Sequence, residues 1–226
     1  MVKEWQQYMA EFISTFSLIF IGAGAVAANN VYGNVGLTGI AFAHGLVLMA
    51  MIYATGHISG AHVNPAVTFA MWITRRIKTL QALLYIVFQL AGASVAGFLL
   101  GIIFNVTNSG NLGVTSLASG ISLINGIIIE AVLTFFLVFT IFGVAVDKRA
   151  NSNAGIAIGL VLAFDILMGG NMTGAAMNPA RAFGPAIASG FWQNHVVYWI
   201  GPLIGASVAA LLYQNLFLKE IKKKVK

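Results

Sequence analysis

Two stretches of this chain carry polar groups at a spacing that could do chemistry. The first is Gly60-Ala61-His62-Val63-Asn64-Pro65-Ala66, the second Gly174-Ala175-Ala176-Met177-Asn178-Pro179-Ala180-Arg181. In each, a small-residue loop precedes Asn-Pro-Ala and a short apolar run. Proline suits the first helical position, where its missing N–H would be unpaired anyway, and asparagine suits the cap before it. Each stretch therefore reads as an irregular loop feeding the N-terminus of a short helix. Loop carbonyls are acceptors and the Asn amides are donors, so the chemistry on offer is hydrogen bonding to a small guest. Bond-making chemistry is absent from the pattern: there is no cysteine, no visible nucleophile–base pair and no metal-ligand cluster. An enzyme is the least favoured class, and no cofactor or metal is expected.

The elements that position these loops are membrane spans. The chain is 59% hydrophobic and only 8% charged, against about 25% charged residues in a soluble domain. A span needs about 20 mostly apolar residues to cross a ~30 Å hydrocarbon core. Six segments qualify, at about 8–28, 37–57, 80–104, 123–146, 154–170 and 196–218. Helices are the expected spanning form because lipid cannot pair with backbone groups, and the alternation of a membrane β-barrel is absent. The first span has no convincing cleavage site and is read as retained, not as a signal peptide. Of twelve basic residues, eleven fall on the face shared by the termini and the 2–3 and 4–5 connections; the exception is Arg181. Both termini are accordingly expected in the cytoplasm, in an integral multi-pass protein of the cell membrane. The basic charge is confined to loops and to the tail 219–226, which reads as a topology and anionic-lipid anchor, and no nucleic-acid partner is expected.

The chain repeats itself. Glu11-Phe12-Ile13-Ser14-Thr15-Phe16 resembles Glu130-Ala131-Val132-Leu133-Thr134-Phe135, Asn178 follows Asn64 by 114 residues, and Gly92-Ala93-Ser94-Val95-Ala96 returns as Gly205-Ala206-Ser207-Val208-Ala209. The repeats cover about 8–104 and 123–218, within one channel-like domain over 1–226. Three spans per half make the second copy enter the membrane upside down, an inverted repeat about an axis in the membrane plane. The ten or so helix-compatible residues after each Asn-Pro cover ~15 Å, half a bilayer. One half-helix dips in from each side, and Asn64 and Asn178 are expected to face each other near the midplane. Irregular backbone at that depth is tolerated only where protein encloses it or where it lines a water-filled cavity. Gly60, Ala61 and His62, with Gly174, Ala175 and Ala176, are therefore candidates for a pore wall. The fold class is all-α: six membrane helices plus two re-entrant half-helices in an inverted three-plus-three arrangement.

At these residues the sequence resembles the aquaporin (major intrinsic protein) family. The likeness rests on six spans, two Asn-Pro-Ala boxes, Arg181 after the second, and Glu11 and Glu130 early in spans one and four. It implies a homotetramer with one pore per subunit, passing water and sometimes small neutral solutes such as ammonia, urea or glycerol. It also implies a selectivity filter of four positions, which by spacing fall on His44, Ile166, Ala175 and Arg181. Ala182 after the arginine and Tyr198-Trp199 opening the last span resemble the water-selective branch. The quartet itself is most similar to plant vacuolar-membrane aquaporins. A secondary transporter, which also uses inverted repeats and broken helices, and a junctional membrane protein are weaker readings, since the centre holds two neutral amides and the outer loops are short.

Other polar groups have structural readings. Glu11 and Glu130 are intramembrane carboxylates, functional by default; their equivalent positions point to scaffolds that hydrogen-bond their own re-entrant loops. His62 is expected to narrow the cytoplasmic half of the pore, and His57 and His195 to be packing or interfacial residues. Asp165 has no symmetric partner. It either reaches the outer vestibule, offsetting Arg181 and His44, or pairs with loop N–H groups. Gly97 and Gly101, like Gly201 and Gly205, have the small-xxx-small spacing of close helix packing.

Overall fold

The computed structural model describes residues 2–105, 112–150 and 153–218; the basic tail lies outside them. Among the described residues eight α-helices follow in order: α1 (Glu4–Tyr32), α2 (Gly36–Ser59), α3 (Pro65–Ile73), α4 (Thr79–Phe104), α5 (Leu123–Ile141), α6 (Ala154–Thr173), α7 (Pro179–Ser189) and α8 (Val197–Tyr213). α5 and α8 continue into π-helical turns at Phe142–Val146 and Gln214–Leu218. With those turns included, the six long helices are each apolar and long enough to cross a membrane. α3 and α7, of 9 and 11 residues, reach only ~13–17 Å at 1.5 Å per residue.

Helix ends differ from the sequence expectation where local chemistry extends them. α1 begins at Glu4, an acidic residue in the first turn, where it opposes the positive end of the helix dipole. α6 runs three residues past 170 because its stop is Gly174, which caps it at φ 86°. Gly60 closes α2 in the same left-handed way at φ 91°.

The packing reproduces the sequence repeat. α1 packs on α2 and α4, and α5 on α6 and α8. α2 crosses α6, where Gly45 and Gly159, also 114 residues apart, meet: a Cβ on either would fall within 2.4–2.5 Å of the other's carbonyl oxygen. The half-helices are exchanged, with α7 against α4 of the first repeat and α3 against α8 of the second. The outward faces stay apolar, with Phe98, Ile102 and Ile124 exposed. Such a surface suits hydrocarbon; a soluble monomer rarely exposes contiguous apolar patches beyond a few hundred Å².

Candidate functional site

Each re-entrant loop is held open by one buried carboxylate. Ala61 and Val63, at φ 47° and 56°, and Ala175 and Met177, at φ 44° and 52°, adopt left-handed backbone without being glycine. Such residues cost of order 1–3 kcal/mol each and persist only where their surroundings fix them. Glu11 supplies that fixation in the first loop, accepting from His62 N (2.9 Å), Val63 N (2.7 Å) and Ser59 Oγ (2.7 Å). Glu130 does the same in the second, accepting from Ala176 N (3.0 Å), Met177 N (2.7 Å) and Thr173 Oγ1 (2.6 Å). Both carboxylates are fully buried. Tyr85 and Tyr198 complete the frame from α4 and α8, donating to the carbonyls of Ser59 (2.8 Å) and Thr173 (2.7 Å).

The two Asn-Pro-Ala boxes are joined to each other. Asn64 Oδ1 caps α3 by accepting from Ala66 N at 2.8 Å, and Asn178 Oδ1 caps α7 by accepting from Ala180 N at 2.9 Å. Asn64 Nδ2 donates to the carbonyl of Met177, and Asn178 Nδ2 to that of Val63, both at 2.9 Å. Each amide has two N–H donors. One is spent on the opposite loop, which leaves one for the cavity between the half-helices.

That cavity, of about 260 Å³, runs from the boxes to the connections that carry Arg76 and Val146, lined by Gly60, Ala61, His62, Ala175 and Ala176 among others. An outer vestibule of about 340 Å³ is lined by Asn29, Asn30, Thr115, Ile166, Asn171 and Gly174, among others. His44 and Arg181 line both and so form the neck between them. Arg181 Nε donates to His44 Nε2 at 2.9 Å, and its Nη1 donates to the carbonyl of Gly113 at 2.7 Å. His44 Nδ1 lies 2.9 Å from the carbonyl of Ile40. Nδ1 is therefore the ring's donor and Nε2 its acceptor, the pattern of a neutral imidazole. Gly22 makes room for the ring: a Cβ there would lie 2.4 Å from His44 Cδ2.

At the inner end, Arg76 lies over the Phe142 ring, 5.3 Å from its centroid, and burial lowers its guanidinium from the ordinary value. Nearby Asp147 accepts from Arg149 Nε at 2.9 Å, and these bonds hold its carboxyl well below the usual carboxylate range.

Asp165 corrects the sequence reading. It is buried on α6 and is absent from the vestibule lining, and among the described residues its Oδ2 has no hydrogen-bond partner, a loop N–H included. His57 is exposed. His195 packs against Trp192, ring centroids 4.8 Å apart. Four contributors escaped sequence reasoning: Gly113, Gln89, and the tyrosines Tyr85 and Tyr198 as a pair. Gln89 Nε2 donates to Glu11 Oε2 (2.8 Å) and Thr68 Oγ1 (2.9 Å), and Thr68 Oγ1 lies 3.1 Å from His62 Nδ1. The repeat could have flagged the tyrosines, which are 113 residues apart, as are Gly92 and Gly205.

The family described as major intrinsic protein matches residues 1–213 of this sequence. The chain belongs to that family. A maize protein named Aquaporin TIP4-4 is 43% identical over 220 residues, covering 94% of this chain and 86% of its own length. Arabidopsis Aquaporin TIP2-1 is 40% identical, covering 93% and 87%, and mouse Aquaporin-4 is 38% identical, covering 97% and 70%. Among solved structures, the aquaglyceroporin of Plasmodium falciparum superposes with a TM-score of 0.86 at 25% identity, covering 97% of this chain and 99% of that one. The family is one of channels, and this member is an integral membrane protein and a passive water channel.

Proposed function

We propose that the neck at His44, Ile166, Ala175 and Arg181 selects what this channel passes, and that Asn64 and Asn178 at its centre keep protons out. The observation that carries the reading is the pair of cavities meeting at His44 and Arg181. Arg181 is buried and, among the described residues, has no ion-pair partner. Its Nη2 and the second proton of Nη1 are free of the bonds to His44 and Gly113 and can meet a passing oxygen. A water molecule exchanges its hydration shell for these donors at little cost. An ion loses several kcal/mol of solvation that nothing here returns. Two half-helix N-termini add roughly half a positive charge each at the centre, so cations are opposed twice, there and at Arg181.

The proton argument is sharper. Both Asn oxygens are turned to their caps, Asn64 Oδ1 to Ala66 N and Asn178 Oδ1 to Ala180 N and Arg181 N, so it is the amide donors that meet the cavity. A water oxygen turned toward two such donors keeps its own protons pointed away, and the relay along a water file is interrupted at that point. Glu11 and Glu130 serve as scaffolds in this reading, and His62 narrows the inner cavity. Ile166 on the vestibule side of the neck and Ala175 on its inner side are apolar, which supports ammonia as a second permeant ahead of urea and glycerol.

Each chain forms one channel unit in a homotetramer surrounded by lipid, with both termini in the cytoplasm. Mass measurement in detergent and protease access to terminal tags in sealed vesicles test these two statements. The TIP relatives favour a tonoplast-type membrane over the cell membrane expected from sequence, and imaging of a fluorescent fusion distinguishes them. Stopped-flow light scattering on proteoliposomes tests the permeation reading. A sucrose gradient should accelerate shrinkage over empty liposomes, methylamine should enter faster than urea or glycerol, and an internal pH dye should stay silent. Proton flux at a rate near that of water would overturn it.

A further inference from the structure

The turn between α3 and α4 borders an open hollow of about 400 Å³ beside the inner cavity; Trp72, Arg75, Arg76, Lys78, Thr79 and Gln81 are on its wall. Three cations thus converge on one concave surface. Among the described residues the ion pair is Asp147 with Arg149, and no acidic group answers Arg75, Arg76 or Lys78. Sidedness alone asks for positive charge in this connection; it does not ask that the charges surround a cavity. Trp72 Nε1 donates to Thr79 Oγ1 at 3.1 Å and ties the two helices together at the pocket's edge.

The apolar surface beside the pocket decides what kind of anion it fits. α4 leaves the pocket with Leu80, Leu83 and Val87 exposed at 68%, 57% and 58%. At spacings of three and four residues they share one helix face. They form an apolar strip that leads from the basic pocket into the membrane. A free phosphate ion would use only the cations. A phospholipid uses both, with its phosphate among the cations and its chains along the strip, as in basic pockets that hold anionic headgroups at the cytoplasmic side of other membrane proteins. We propose that this pocket binds the phosphate headgroup of an anionic membrane lipid. The site is separate from the permeation path but shares a wall with it, because Arg76 and Ile77 also line the inner cavity.

Native mass spectrometry of the full chain with phosphatidylglycerol and phosphatidylcholine tests the proposal. The wild type should retain phosphatidylglycerol at activation energies that strip phosphatidylcholine. Arg75→Gln with Lys78→Gln, which leaves the shared wall intact, should reduce retention to the phosphatidylcholine level with water permeability unchanged. A tail variant, Lys222→Gln/Lys223→Gln/Lys224→Gln, should bind as the wild type does. Excess inorganic phosphate should fail to displace the lipid. If the double variant does not assemble, each single substitution is read instead, with partial loss expected, and Leu83→Ser should also weaken retention. Undiminished binding in the Arg75 and Lys78 variants, loss in the tail variant alone, or displacement by phosphate would each overturn it, the last by identifying a free-anion site.

Discussion

The outer neck and the inner cavity are built on the same backbone and differ in their side chains. Moving each neck residue by the 114-residue repeat takes His44 to Ile158, Ile166 to Ile52, Ala175 to Ala61 and Arg181 to Val67. All four counterparts line the inner cavity, and all are apolar. The inner end has its own polar cluster one step away, at His62, Thr68 and Gln89, where the second repeat places Ala176, Ala182 and, at the 113-residue offset that relates Tyr85 to Tyr198, Pro202. The fold therefore supplies a conduit twice, while polarity is spent once at each level. A buried charge costs several kcal/mol, and the proposed selection at the outer end rests on a single guanidinium, bonded to His44 and Gly113.

Breaking the shared frame should have the largest effect. Glu11→Ala and Glu130→Ala each strand loop donors in the membrane interior at about 1–3 kcal/mol per donor. Both variants should lose monodisperse protein in detergent size-exclusion chromatography. A loss confined to one would mean that the two halves are unequal as scaffolds.

Arg181→Val gives the outer neck the inner chemistry. Water flux should persist, while glycerol, urea and methylammonium enter faster, by about tenfold for each ~1.4 kcal/mol of barrier removed. Unchanged solute ratios in stopped-flow would place selection elsewhere. His44→Ile, the counterpart of Ile158, should act in the same direction but less, since Arg181 stays charged and loses one acceptor at about 1–3 kcal/mol. Solute entry between wild type and the Arg181 variant is the outcome that orders the two. Smallest are Tyr85→Phe and Tyr198→Phe, each removing one loop hydrogen bond worth about 1 kcal/mol. Apparent Tm in detergent should fall equally for both, with water permeability unchanged.

The spans, the half-helices and the inverted repeat could be read directly because hydrophobic length and a fixed offset are properties of the string. The placement of Glu11 and Glu130, 119 residues apart, followed from the same repeat. What could not be read was the set of partners brought in by tertiary contact. Nothing in the local sequence marks Gly113, in a connection without periodicity, as the carbonyl that steadies Arg181, 68 residues away. Gln89 looks like an isolated polar residue in an apolar helix until α1 and α3 pack beside it. Asp165 misled for the opposite reason: its neighbour Ile166 lines the vestibule, but consecutive residues on a helix face different directions, about 100° apart at 3.6 residues per turn.

The crossed bonds from Asn64 to Met177 and from Asn178 to Val63 bear on how the protein is made. When the first repeat has been threaded into the bilayer and the second is still being synthesised, the Asn64 amide and the Val63 carbonyl have no counterpart. The groove on α8 that will receive α3 does not yet exist. The early half is thus an unfinished surface that only its own later half can close. Biogenesis becomes a rendezvous between two insertions of opposite orientation, and a chain stalled at its midpoint displays unmatched polar backbone to whatever surveys the membrane for damaged proteins.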